Sequence, residues 1–247
     1  MATPASRKLS LLPIVTLLAA LIGALMVVGA GPAYRLRLLG LGRAFSVIEW
    51  GAWLGLVALV LAAILASYQR RTSTRRWPVI ALTAAIIGAL TFSIPYAMLQ
   101  SAKRAPEIHD ISTDTANPPR FVAVVPLRAG SPNSVDYAGE ATASRQHAAY
   151  PDIRPITLGA PPEQAYRRAL DVARDMGWQI DASVPAEGRI EATDTTMWFG
   201  FKDDIVIRVS PAETGSRIDV RSESRLGEGD LGKNARRIRA YLRKVNS

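Results

Sequence analysis

RSESRLGEGDLGKNARRIRAYL, residues 221–242, decides how the rest of the chain is read. It begins as the polar end of a strand, breaks at Gly227, Gly229 and Gly232, and continues as a basic amphipathic helix. In the helix Leu231, Ala235, Ile238, Leu242 and Val245 recur at spacings of 4, 3, 4 and 3, so one stripe is apolar and docks on a sheet. Asp230 stands at the expected N-cap. Lys233, Arg236, Arg237, Arg239, Arg243 and Lys244 fill the remaining faces, and the last of them complement the negative end of the helix dipole.

Working back from this stretch, strands precede it. Ile218 and Val220 lead into it, and Ile205, Ile207 and Val209 alternate in the strand before, with a turn at residues 211–215. Ile190 and Ala192 start a strand that runs toward Trp198, Phe199 and Phe201. Trp178, Ile180 and Ala182 alternate in another, which a turn at residues 185–188 ends. Before it, Pro161-Pro162-Glu163 opens a helix with Tyr166, Ala169, Leu170, Ala173 and Met176 on one face and Gly177 at its end. Ile156 and Leu158 mark a short strand. Strand, helix, hairpin-linked strands, helix: this order predicts an α+β domain over residues 151–247, a small antiparallel sheet with helices packed on one face.

The closing stretch resembles the bacterial domain of unknown function 1499 family. There a strand reading D-V-R-S-x-S-R leads through G-x-x-D-L-G to N-x-R-R-I, matched here from Asp219 to Ile238. IHDISTDTANPPRF, residues 108–121, also looks like a segment of that family, so the resemblance covers roughly residues 108–242. It implies a fold neighbourhood and membrane-anchored relatives, but no chemistry.

The first hundred residues lie outside the resemblance. Residues 11–30, 47–68 and 77–99 are each about 20 residues of apolar sequence, long enough to cross a hydrocarbon core of roughly 30 Å. Three N-terminal transmembrane helices are therefore expected over residues 1–100, the first an uncleaved signal anchor following Arg7 and Lys8. Gly51 and Gly55, and Ala84 with Gly88, are small-residue pairs that let helices approach closely. The short-loop charges Arg70, Arg71, Arg75 and Arg76 are hardest to translocate, which puts the N-terminus inside and the C-terminal domain in the periplasm, at a bacterial inner membrane. Residues 101–150 read as an extended linker and irregular segment, with a strand at residues 121–127 and loop from 128 onward.

Net charge is +9, yet nine Lys/Arg against Glu49 alone make residues 1–100 +8, while 21 Lys/Arg against 20 Asp/Glu leave residues 101–247 at +1. The basicity is thus a topology signal, and no nucleic-acid partner is expected. The chain has no cysteine, which excludes disulfides, thiolate nucleophiles and Cys-based zinc sites. GEGDLGKN, residues 227–234, contains phosphate-loop patterns, but Asn234 replaces the Ser/Thr that would hold magnesium, and Glu228 and Asp230 would repel phosphate. Its glycines are expected to serve a sharp turn. His109 and His147 lack a nucleophile elbow or metal spacing. Asp203 and Asp204 diverge to opposite faces of a strand start, or sit in a hairpin turn. No catalytic residue, metal site or cofactor is therefore expected.

One polar set remains: Arg221, Ser222, Ser224, Arg225, Asp230, Asn234 and Arg237. Guanidinium groups beside hydroxyls and a helix start suit an anion. The structural alternative is an internal network, chiefly Arg221 or Arg225 with Asp230. Strand alternation opposes Arg221 to Ile218 and Val220 and so favours structure for it, leaving Arg225 and Arg237 for binding. The resulting expectation is a membrane-anchored, extracytoplasmic, non-enzymatic module that meets an anionic partner, a membrane lipid or an envelope protein. The alternative is a hydrolase or transferase acting on a phosphorylated envelope substrate through Arg221–Arg237.

Overall fold

The computed structural model describes residues 4–69 and 77–247. The chain separates into two compact units, Met1–Lys103 and Arg104–Ser247. The first holds α1 (Pro4–Arg35), α2 (Leu41–Gln69) and α3 (Trp77–Arg104), each long and apolar enough to cross a membrane. The loop arginines Arg70, Arg71, Arg75 and Arg76 lie outside the described residues.

Small residues set the helix spacing in this unit. A Cβ on Gly51 would come within 2.8 Å of the Gly23 carbonyl oxygen, and one on Gly88 within 2.5 Å of the Gly55 carbonyl oxygen. The G-x-x-x-G pair thus works inside the bundle, Gly51 against α1 and Gly55 against α3. Ala20, Ala58, Ala62 and Ala84 fill the seam between them.

In the second unit six strands form one antiparallel sheet: β1 (Asp110–Ser112), β2 (Ile156–Leu158), β3 (Gln179–Val184), β4 (Arg189–Thr195), β5 (Lys202–Pro211) and β6 (Ser216–Ser224). The order is β1-β6-β5-β4-β3, and β2 pairs with β6 beside β1. The α+β expectation holds. On one face, Ile190 and Ala192 of β4, Ile205, Ile207 and Val209 of β5, and Ile218 and Val220 of β6 meet α5 (Pro162–Asp175) and α6 (Lys233–Asn246). Ala165, Ala169 and Ala173 let α5 lie close, while Ile238, Tyr241 and Val245 supply the bulk from α6. Tyr241 is fully buried, stacks on Trp178 at 5.2 Å and donates to the Ala169 carbonyl. A third helix, α4 (Glu140–Ala149), guards the edge: the Gln146 side chain accepts from the Ser112 N–H and donates to the Ser112 carbonyl, as a neighbouring strand would.

Residues 101–150 are not a linker followed by loop. α3 continues to Arg104, and from Asp110 the chain belongs to the sheet domain. Residues 121–127 are not a strand either: they turn, pass through a 3-10 helix at Pro126–Arg128, and form part of a strap over the other face of the sheet. Phe121 and Val124 close on Val206 there, with Val135 against them. The strap combines short local turns with hydrogen bonds to side chains far away in sequence, Glu191 and Arg225, so no regular period announces it. β4 also stops at Thr195, short of the expected run to Phe201, and residues 196–201 form the connection to β5.

Candidate functional site

The seven polar residues singled out from the sequence are split by the sheet. β6 alternates, so Ser222 and Ser224 share the helix-covered face with Ile218 and Val220, while Arg221 and Arg225 point to the strap. On the helix side, Arg237 is held in place from four directions. Its Nη2 donates to Asp194 at 2.6 Å and to Asp203, its Nη1 donates to Ser222 Oγ at 3.0 Å, and the Asn234 amide oxygen also accepts from it. Asn234 is fully buried and donates to the His109 carbonyl and to Ser224 Oγ. Lys233 reaches Asp203 at 2.9 Å and Asp194 at 3.4 Å.

Asp230 pairs with neither Arg221 nor Arg225. Its two oxygens accept the backbone N–H groups of Gly232 and Asn234, at 2.7 and 2.6 Å, so it caps the start of α6 although the helix proper begins at Lys233. A carboxylate of the chain thus occupies the place where a helix N-terminus would receive an external anion. Burial raises the Asp230 pKa, and the two backbone hydrogen bonds only partly offset it. The turn needs two successive left-handed residues, Leu231 at φ 56° and Gly232 at φ 71°, and this is why the sequence breaks there.

On the strap side, Arg221 makes a two-pronged pair with Asp110, at 2.9 and 2.8 Å, and donates to the Val135 carbonyl. Phe121 lies across its guanidinium at 4.8 Å. Arg225 grips Asp204 with Nε and Nη2, at 2.9 and 2.7 Å, and donates to the Leu127 carbonyl. Arg128 bridges Asp204 and Glu223, each at 2.9 Å. Glu191, fully buried, accepts the backbone N–H groups of Val122, Ala123 and Val124, all at 3.0 Å. Asp203 and Asp204 are therefore not in a turn. They sit in β5 and diverge, one to each face.

One edge of this arrangement is open. An open groove of about 270 Å³ is lined by Met176, Trp178, Asp194, Lys233, Arg236 and Arg237. Burial works against ionisation of Asp194, but the hydrogen bond from Arg237 and the charges of Arg237 and Lys233 outweigh it and lower its pKa. Arg236 is exposed; its Nη1 donates to the Leu231 carbonyl, and among the described residues it makes no ion pair. Trp178 and Met176 were read from the sequence only as sheet and helix positions, and nothing in their local pattern pointed to a groove.

The class defined by these observations is an antiparallel α+β domain with internally paired charges on both faces of its sheet, joined to three membrane-length helices. The chain belongs to the family described as "Protein of unknown function (DUF1499)", which matches residues 110–245, from the first residue of β1 through nearly all of α6. No curated protein matches the chain.

The pairing of Arg225 with Asp204 makes Arg225 a structural residue. Arg225→Ala should lower unfolding stability by about 1–3 kcal/mol, because Asp204 keeps Arg128 but loses two charge-assisted bonds; chemical denaturation of the purified chain measures it. Glu223 offers a second test. Burial, reinforced by the Asp110 charge, pushes its carboxyl from 4.5 up to about 8, against the pull of Arg128 and Arg221. The folded chain then holds a proton that the unfolded chain releases across that window, so the group's contribution is fullest below about pH 4.5 and declines as pH rises to about 8. Glu223→Gln should melt near wild type at about pH 5 and above it at about pH 8.5.

Proposed function

We propose that this protein is a membrane-anchored, extracytoplasmic, non-enzymatic binding module that meets an anionic partner at the lip of the groove beside α6. The observation that carries the reading is Arg236, an exposed guanidinium at the groove with no carboxylate partner among the described residues, next to Lys233, which is 35% exposed. Arg221, Arg225 and Arg237 are satisfied within the fold and serve as its frame, so the anion-facing set shifts from the buried arginines to Lys233 and Arg236. An incoming phosphate or carboxylate takes both cations while Trp178 provides an apolar wall.

The proposed setting is the inner membrane of a bacterium, with the sheet domain in the periplasm. Three spans with a cytoplasmic N-terminus require it, and the four arginines between the second and third spans support that orientation. A phosphatase fused after Ser247 should be active and a cytoplasm-only fluorescent protein dark; the reverse pattern overturns the orientation. For the groove, Arg236→Gln should weaken binding of inorganic phosphate by about tenfold or more, with melting changed by less than about 0.5 kcal/mol. Titration followed by amide chemical shifts reads the binding. The wild-type signal should fade between 0.1 M and 1 M salt, as the screening length falls from about 10 Å to about 3 Å. Unchanged phosphate affinity in the variant removes the groove from the proposal.

A further inference from the structure

Arg236 presents a two-pronged donor that the fold leaves open. Its Nη1 is fixed by the Leu231 carbonyl at 2.8 Å, while Nε and Nη2 donate to no acceptor among the described residues. The Nε–Nη2 edge is the one with which this domain grips carboxylates elsewhere: Arg221 on Asp110, Arg225 on Asp204 and Arg239 on Asp152. A guanidinium held at one nitrogen keeps that edge in a set direction, ready for two oxygens of one anion.

The same groove offers an acceptor. Asp194 receives Arg237 Nε at 3.2 Å, Arg237 Nη2 at 2.6 Å and Lys233 Nζ at 3.4 Å, all on Oδ2. Its Oδ1 accepts no hydrogen bond among the described residues, and the side chain is 28% exposed. The two cations beside it hold the carboxyl ionised at neutral pH. A plain dianion entering the groove therefore meets a repelling charge as well as attracting ones. Lys233, Arg236 and Arg237 stand against two carboxylates, Asp194 and Asp203, so the cluster carries one positive charge in excess. Lys233 and Arg236 are three residues apart on α6, which puts their Cβ atoms about 5–6 Å from each other on one side of the helix. Since Lys233 also reaches Asp194, the open guanidinium edge and the open carboxylate oxygen lie along one short row. Trp178, 6% exposed and stacked on Tyr241, lines the groove with Met176 and gives it an apolar wall.

We infer that the groove takes a zwitterionic ligand in which a phosphate and a primary ammonium are joined by a short carbon spacer. The phosphate lies on the Nε–Nη2 edge of Arg236, the ammonium donates to Asp194 Oδ1, and the spacer passes along Trp178. Charge selects this class. A phosphomonoester carries about −1.5 to −2 charges at neutral pH, and its ammonium brings the whole ligand to roughly −1, which the excess positive charge of the cluster balances. An amino acid zwitterion has no net charge and leaves that excess unmatched. The inference rests on the anion reading of the groove and adds the second end of the ligand.

Ethanolamine phosphate and ethyl phosphate share a phosphate and a two-carbon chain and differ in the ammonium, so they test this end of the groove alone. Each is titrated into the purified full chain, with the Trp178 indole N–H shift as the readout. Ethanolamine phosphate should bind about tenfold more tightly than ethyl phosphate, and Asp194→Asn should bring the two within about twofold of each other. The comparison on the wild-type chain needs no variant, so a poorly folded Asp194→Asn leaves it decisive. Equal affinities on the wild type, with Arg236→Gln still weakening both, overturn this inference and leave the anion reading standing. Binding that Arg236→Gln does not change, or no binding of either compound, removes both together. Glycerophosphoethanolamine, a diester like a lipid headgroup, separates the two sources of such a ligand: binding as tight as the monoester's assigns a lipid, and much weaker binding assigns a soluble phosphomonoester.

Discussion

Two adjacent carboxylates at the start of the central strand β5 hold the domain together. Asp203 and Asp204 are both buried, and in an extended chain neighbouring side chains must leave on opposite faces. Each face therefore receives a carboxylate that would be intolerable alone. Asp203 is met by Arg237 and Lys233 from α6, and Asp204 by Arg128 from the strap and Arg225 just beyond β6. Everything that must lie beside β5 is thereby specified: the helix start on one side, the strap on the other.

The two faces solve the problem differently. On the helix face, the charges gather at one end, and the rest of the interface is an apolar core of isoleucine, alanine and tyrosine. On the strap face, the apolar cluster of Phe121, Val124 and Val206 is small, and the covering segment is fastened chiefly by guanidinium and carboxylate groups that bind its backbone. Such buried pairs contribute little net stability over a well-packed apolar layer, but a displaced partner leaves an uncompensated charge. The arrangement accounts for why an irregular segment of more than twenty residues keeps one conformation over a flat sheet.

The helical unit follows a different rule. Its helices lie close because Gly51, Gly55 and Gly88 bring backbone against backbone, and their outer surfaces keep leucine, isoleucine and valine exposed. The sheet domain, nearly neutral in charge, uses arginine as its mortar. The net basicity of the chain thus arises almost wholly outside the domain that, among the described residues, carries these ion pairs.

Hydrophobic period and turn residues determined by themselves the three long apolar helices, the two helices of the sheet core, the strand order along the chain and the polar set near residue 230. These are local signals: a helical stripe such as Leu231 to Val245 or an alternation such as Ile205, Ile207, Val209 can be read without knowing its neighbour. Adjacency in Asp203-Asp204 showed even that the two would diverge. The sequence did not reveal which arginine each would meet, because Arg128 lies 76 residues and Arg225 21 residues from Asp204, and a guanidinium carries no label for its partner. For the same reason the strap read as a strand followed by loop, and Asp230 as a partner for arginine. A segment whose backbone is satisfied by distant side chains has no period of its own, and only the folded sheet decided that Glu191, Asp204 and Glu223 would be there to receive it.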